Sequence, residues 1–197
     1  SPLLSNIYLD ALDHCMVAHD VEMVRYADDL VLFCRDEASA GHALELLQDW
    51  MAQAALQLHP EKTHVVNYGA GGKFSFLGYE FRRGKHWVSK KSMKQIRAKI
   101  REKTRRTPGM SLRQIIEELN LILRGWFEYY QHSRPFVMSK VDGYTRMRLR
   151  SILRGFNKGR GIGQGLDHKR WPNAYFTANG LFCLEHARTQ SLQSSCR

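Results

Sequence analysis

Val24-Arg25-Tyr26-Ala27-Asp28-Asp29-Leu30-Val31-Leu32-Phe33 decides how this chain is read. Two runs of β-branched, aromatic and aliphatic residues, 24–27 and 30–33, flank a pair of aspartates. The pattern predicts an antiparallel hairpin with Asp28 and Asp29 both at its turn. Two readings of the pair are open. Aspartate favours turns on its own account. Adjacent carboxylates on a tight turn also present oxygens to a hard cation, and Mg²⁺ takes such ligands together with substrate phosphates. Two such ions about 3.5–4 Å apart clamp the attacking and leaving oxygens of a phosphoryl transfer.

Upstream, residues 3–16 read as an amphipathic helix with Leu4, Tyr8, Ala11, Leu12 and Cys15 along one stripe. The pattern starts so close to Ser1 that a helix beginning earlier, in a longer chain, is expected. Downstream, Asp36 and Ser39 offer N-cap chemistry to a helix with Ala40, Leu44, Leu47, Met51, Ala54 and Leu58 on its core stripe. His59-Pro60-Glu61 breaks that helix, residues 63–68 can return as a strand, and Gly69-Ala70-Gly71-Gly72 is a flexible turn. Residues 74–81 alternate aromatic with small or polar side chains and read as one arm of a second hairpin, with His86-Trp87-Val88 as the other.

From Ser89 the character is helical. Residues 90–106 carry nine bases and one acid on a thin apolar stripe of Met93, Ile96 and Ile100, and Pro108-Gly109 ends the run. Ser111 and Gln114 form a capping box for a helix with Leu112, Ile115, Ile116, Leu119, Leu123, Trp126 and Tyr130 on its core stripe. A further helix spans 136–154, and four glycines between 159 and 165, with Lys158 and Arg160, make a basic loop. The fold class is α+β: residues 1–88 with the hairpins, residues 89–197 mainly helical.

The formal charge of +11 over 197 residues is unevenly placed. Residues 1–66 hold three bases against eleven acids, a formal −8, and residues 67–197 hold 27 bases against eight acids, a formal +19. An acidic first third beside a basic remainder interleaved with aromatics points to a metal site followed by a polyanion-binding surface. The aromatic fraction of 11% excludes a disordered chain. The longest apolar run, Leu30-Val31-Leu32-Phe33-Cys34, is far short of the roughly 20 residues a membrane-spanning helix needs. Cys15, Cys34, Cys183 and Cys196 form no C-x-x-C pair, which argues against a disulfide framework or a zinc site and fits a reducing compartment. The glycines near 160 do not match a dinucleotide-binding fingerprint.

Tyr26-Ala27-Asp28-Asp29 resembles the Y-x-D-D box of reverse transcriptases. Ser1-Pro2-Leu3-Leu4-Ser5-Asn6 looks like the stretch preceding it in that family, Leu58-His59-Pro60-Glu61-Lys62-Thr63 resembles the segment following it, and Phe76-Leu77-Gly78-Tyr79 is similar to the primer-grip box. Leu123-Arg124-Gly125-Trp126-Phe127-Glu128-Tyr129-Tyr130 looks like the helix signature of the group II intron maturase domain, and Trp171-Pro172-Asn173-Ala174-Tyr175-Phe176 with Gly180-Leu181-Phe182 fits its end. These ordered boxes resemble a group II intron reverse transcriptase and maturase. The resemblance implies a partial reverse-transcriptase palm followed by a helical thumb and maturase domain.

It further implies Asp28 and Asp29 as ligands of a two-metal Mg²⁺ site, Asp28 the stronger, with Tyr26 beside the primer terminus and Phe76, Leu77 and Gly78 in the primer grip. Lys62 becomes a candidate general acid for the pyrophosphate leaving group; a solvated loop lysine is the other reading. Lys94, Arg97 and Arg101 share one helix face suited to duplex phosphates. Arg146, Arg148, Arg150 and Arg154 with Lys158 and Arg160 make a second patch for intron RNA. Implied partners are intron RNA, an RNA template/DNA primer duplex and deoxynucleoside triphosphates, in a cytoplasmic bacterial ribonucleoprotein without an endonuclease domain. The family's first catalytic aspartate and its triphosphate-gripping residues lie upstream of the matching stretch. The chain alone is therefore expected to be inactive as a polymerase, and a non-catalytic RNA-binding maturase is the alternative.

Overall fold

The computed structural model describes residues 2–105, 109–156 and 165–194. Among them the order is α1 (Pro2–Ala18), β1 (Glu22–Tyr26), β2 (Asp29–Phe33), α2 (Glu37–Gln53), β3 (Lys73–Phe76), β4 (Tyr79–Arg82), β5 (Lys85–Val88), α3 (Lys90–Lys103), α4 (Leu112–Tyr130), α5 (Pro135–Phe156), α6 (Leu166–Arg170), α7 (Asn173–Ala178) and α8 (Leu184–Ser194). The chain is α+β and divides into two units, Ser1–Lys85 and His86–Arg197.

In the first unit β1 and β2 pair antiparallel with Tyr26 opposite Asp29. Met23 stands opposite Leu32 and Arg25 opposite Leu30, so these four share the sheet face turned inward. Leu9, Leu12 and Met16 of α1 meet Leu47 and Met51 of α2, with Met23, Leu30, Leu32 and Trp50 packed around them. The buried α1 stripe thus steps by 3 and 4 from Leu9, not from Leu4 as the sequence suggests. Leu4 is 67% exposed. The helix carries apolar residues on two faces, and periodicity alone does not say which one finds the sheet. Tyr8, also on the outward side, keeps a polar tie: its hydroxyl donates to the Ala54 carbonyl at 2.6 Å.

Asp36 and Ser39 cap α2 reciprocally, side chain to backbone in both directions. At its other end the Leu56 N–H donates to the Met51 carbonyl at 2.8 Å, and Ala55 takes φ +54°, the left-handed position that a glycine usually fills. Residues 63–68 form no strand. Their backbone closes a turn instead, the Gly72 N–H donating to the Asn67 carbonyl at 3.0 Å. A Cβ on Gly72 would lie 2.5 Å from that oxygen, so only glycine fits.

Residues 74–81 are a complete hairpin rather than one arm of a longer one. β3 pairs antiparallel with β4, Phe74 opposite Phe81, their rings stacked at 5.0 Å. Leu77 and Gly78 have φ +48° and +78°, the type I′ arrangement whose twist matches the flanking strands. The sheet order is β3-β4-β5, and the division between units falls at the start of β5.

The second unit is a helical assembly after β5. Ser89 caps α3, which buries Ser92, Ile96 and Ile100 and ends at Lys103, where the Thr104 hydroxyl donates to the Ile100 carbonyl at 2.6 Å. Ser111 and Gln114 form the expected capping box of α4, whose core stripe is Ile115, Ile116, Leu119, Leu123, Phe127 and Tyr130. Phe127 therefore takes the core position expected for Trp126, which is half-buried. Met138, Val141 and Leu149 of α5 and Leu184 of α8 are fully buried. Asp142, inside α5, accepts hydrogen bonds from the Leu184 and Glu185 N–H groups at 3.1 and 3.2 Å. It thereby satisfies orphan donors at the start of α8 from another helix.

Candidate metal and nucleic-acid sites

The first candidate site is the tip of the β1–β2 hairpin. Ala27 and Asp28 make the two-residue turn, Ala27 at φ +54°, and Asp29 is the first residue of β2. The aspartates are adjacent, but only Asp28 lies in the turn; Asp29 sits opposite Tyr26. Both carboxylates are exposed, and Tyr26, on the outward face with Asp29, is 66% exposed. The turn is anchored from behind. Arg25, its side chain 10% exposed, donates Nε–H and Nη2–H to the two Asp13 carboxylate oxygens at 2.7 and 2.5 Å. Its Nη1 donates to the Ala27 carbonyl at 2.9 Å and to Asn6 Oδ1 at 3.2 Å. The hydrogen bond from Arg25 holds the Asp13 carboxyl below its ordinary range, against the opposing effect of burial.

Two adjacent exposed carboxylates fit part of an oxygen-ligand set for a hard divalent ion. Among the described residues no group of three His, Cys, Asp or Glu side chains is placed to hold a metal. The pair could supply two protein ligands, with water and substrate phosphate oxygens filling other positions. Lys62 stands exposed on the loop after α2, in a turn closed by N–H donation from Lys62 and Thr63 to the His59 carbonyl. Phe76, Leu77 and Gly78 cluster at the β3–β4 turn, where the left-handed backbone itself accounts for glycine at 78.

The second candidate surface lies on α3 and α5. Lys94, Arg97 and Arg101 are exposed on α3, and the Arg97 guanidinium lies 5.6 Å from the Tyr144 ring centre. A hollow of about 750 Å³ brings Arg101 and Arg105 together with Arg148 of α5, with Glu102 also on its wall. Arg148 is fixed there, donating to the Thr104 hydroxyl and carbonyl at 2.9 and 2.8 Å. Sequence spacing separates these bases into two patches; the packing of α3 on α5 makes them one.

Arg150 requires a correction. It is 3% exposed, and its guanidinium donates to the Trp171 carbonyl at 2.9 Å and to Asn173 Oδ1 at 2.8 Å, with the Phe176 ring 5.2 Å away. Burial pushes its pKa down from the usual arginine value. It anchors the Trp171-Pro172-Asn173 segment and is not presented to a phosphate. Arg146 lies 3.9 Å from Asp142, and Arg154 pairs with Asp167 at 3.2 Å. Each of those two has a carboxylate neighbour that a polyanion would have to compete with. Lys158 and Arg160 lie outside the described residues.

Asn6, Asp13 and Arg25 are missing from the sequence reading of the site. Their signal is an arginine at an inward position of an alternating strand, which calls for a carboxylate partner within reach.

An acid-bearing hairpin in one unit and exposed bases on the helices of the other are the features that the comparison with known families has to account for. Residues 1–81 match the family model Reverse transcriptase (RNA-dependent DNA polymerase), and residues 93–161 match Group II intron, maturase-specific domain. The chain carries the reverse-transcriptase and maturase-specific domains of a group II intron-encoded protein, and the two together support a reverse-transcriptase and maturase function for that protein. The comparison with curated proteins gave no match. No helix among the described residues is long and apolar enough to cross a membrane.

Proposed function

We propose that the Asp28–Asp29 tip binds the divalent ion that reverse transcription needs, Mg²⁺, and that the α3–α5 surface holds the template–primer duplex and intron RNA. The observation that carries this reading is the separation of charge along the chain: paired exposed carboxylates on a hairpin tip, and exposed bases on the helices of the second unit. Mg²⁺ held by Asp28 and Asp29 supplies charge neutralisation for a triphosphate and acidifies a primer 3′-hydroxyl. Tyr26, on the same exposed face as Asp29, packs beside the primer end. Lys62 donates a proton to the departing pyrophosphate as a flexible ammonium group. Lys94, Arg97, Arg101 and Arg148 neutralise phosphates without reading bases. Deoxynucleoside triphosphates are the proposed small-molecule substrates.

A second reading is favoured by one observation, the absence of a third metal-ligating acid beside the pair among the described residues. In it the 197-residue chain binds RNA and assists splicing without making DNA. Primer extension with Mg²⁺ on a primed RNA template, by a chain that also carries the family's upstream aspartate, separates the two: the first reading predicts synthesis that Asp28→Asn abolishes with RNA binding intact, the second predicts none. We expect no extension by this chain alone, with RNA binding retained; extension abolished by Asp28→Asn would establish the catalytic reading for the chain itself.

A further inference from the structure

Ala27 holds a left-handed backbone at the hairpin tip with φ +54°. A residue with a Cβ stays in that region only when its surroundings over-determine it. Here the two-residue turn of the paired strands sets that backbone, and one side chain braces it. The Arg25 guanidinium spreads its donors over the Asp13 carboxylate, Asn6 Oδ1 and the Ala27 carbonyl. Asp13 and Asn6 belong to α1, so a helix packed in the core is tied through one planar group to the peptide just before Asp28.

We propose that Arg25 is the positioning residue of this site: acting through the Ala27 carbonyl, it fixes the direction in which Asp28 leaves the turn. The proposal rests on the reading of Asp28 as a divalent-ion ligand. Lysine could not replace it, because an ammonium is a single point donor and cannot hold a carboxylate two-fold while also reaching the carbonyl. The alternation of β1 explains the choice of position. Tyr26 and Asp29 face outward, so the residue beside them that can reach α1 is the inward one at 25. A hollow of about 160 Å³ beside the pair, lined in part by Asp13, Met23 and Arg25, leaves room for water around a shorter side chain. The Arg25→Lys variant is therefore expected to fold.

The test uses the ¹⁵N-labelled 197-residue chain with Mn²⁺ as the probe. It compares wild type, Arg25→Lys, and the exchanged pair Arg25→Asp with Asp13→Arg. The exchanged pair restores an ion pair between β1 and α1 and removes the donor to Ala27. In both variants the amides of Val24 and Val31 should keep their protection. Exchange at Asp29, which closes the hairpin opposite Tyr26, should speed up by roughly tenfold as the turn loses one charge-assisted hydrogen bond. The Mn²⁺ concentration that broadens the Asp28 and Asp29 amides should rise with it. Unchanged exchange and broadening in folded Arg25→Lys would overturn the proposal, as would full recovery of both in the exchanged pair, since an ion pair alone would then suffice. If Mn²⁺ leaves Asp28 untouched in the wild type, the ion-ligand reading fails by itself, and exchange at the turn still decides what Arg25 does. If Arg25→Lys does not fold, the exchanged pair decides between the outcomes.

Discussion

Arg150 is the sharpest divide between a surface role and a structural one. In Arg150→Gln the two hydrogen bonds from the guanidinium to the Trp171 carbonyl and to Asn173 Oδ1 are lost, and so is the cation over the Phe176 ring. A hydrogen bond from a charged donor contributes about 1.5–3 kcal/mol, and a buried carbonyl left unsatisfied costs about 1–3 kcal/mol. Trp171 and Phe176 are both buried, so water does not fully replace the donor. Because these contributions overlap, the expected loss is about 3 kcal/mol rather than their sum. In a domain near 100 residues that lowers the melting temperature by roughly 12–20 °C. An exposed arginine removed from a helix would change stability by about 0.5 kcal/mol or less. Thermal and urea denaturation of the whole chain, followed by near-ultraviolet signals from its tryptophans, reads the difference. A variant as stable as wild type that binds RNA less well would refute the anchoring role and return Arg150 to the RNA surface.

Replacing Lys94, Arg97 and Arg101 with alanine should lower the log–log salt slope of duplex binding by about 2–3 units, equally for different sequences, with folding intact; anisotropy titrations at several salt concentrations check this. The Asp142 carboxyl is pushed above its usual range, chiefly by burial and against the hydrogen bonds from Leu184, Cys183 and Glu185. The folded state then holds a proton that the unfolded chain releases, so this group favours folding most at low pH and its contribution falls as pH rises from the unfolded value of 3.8 through the raised folded one. Urea midpoints measured from neutral pH downward should show the wild type gaining on Asp142→Asn as pH falls. Ala55→Gly, at φ +54°, should stabilise the first unit by about 0.5–1 kcal/mol, since the left-handed penalty for a Cβ exceeds the entropy that glycine adds to the unfolded chain; denaturant midpoints decide it.

Local chemistry made much of this fold legible. The capping boxes at Asp36 and Ser111, and the hairpin around Asp28, follow from residues a few positions apart, and local spacing is what a sequence displays. The misreadings concern choices made at a distance. α1 offers two apolar faces, and only the β1–β2 sheet selects Leu9, Leu12 and Met16. Residues 74–81 look like one strand because the turn is Leu77-Gly78 rather than the Asn-Gly that usually announces a type I′ hairpin. Residues 63–68 have strand-like composition, yet their backbone is committed to the Gly72 turn. At the site, the order of motifs marks Asp28 and Asp29, whereas Arg25 owes its role to Asp13, twelve positions away, and to Asn6. Arg150 and Arg148 are two residues apart on one helix, but one faces the core beneath Trp171 and the other faces α3. Net charge counts them alike; burial separates them.

In the proposed function RNA is held by the second unit, on α3 and α5, while the first unit presents the acid-bearing tip. Photocrosslinking of 4-thiouridine-substituted group II intron RNA to the intact 197-residue chain, with the attached peptides mapped by mass spectrometry, tests it directly. Crosslinks should concentrate around Lys94, Arg97, Arg101 and Arg148 and be competed away by unlabelled intron RNA. Crosslinks confined to residues 1–66, or none that the intron RNA displaces, would contradict it.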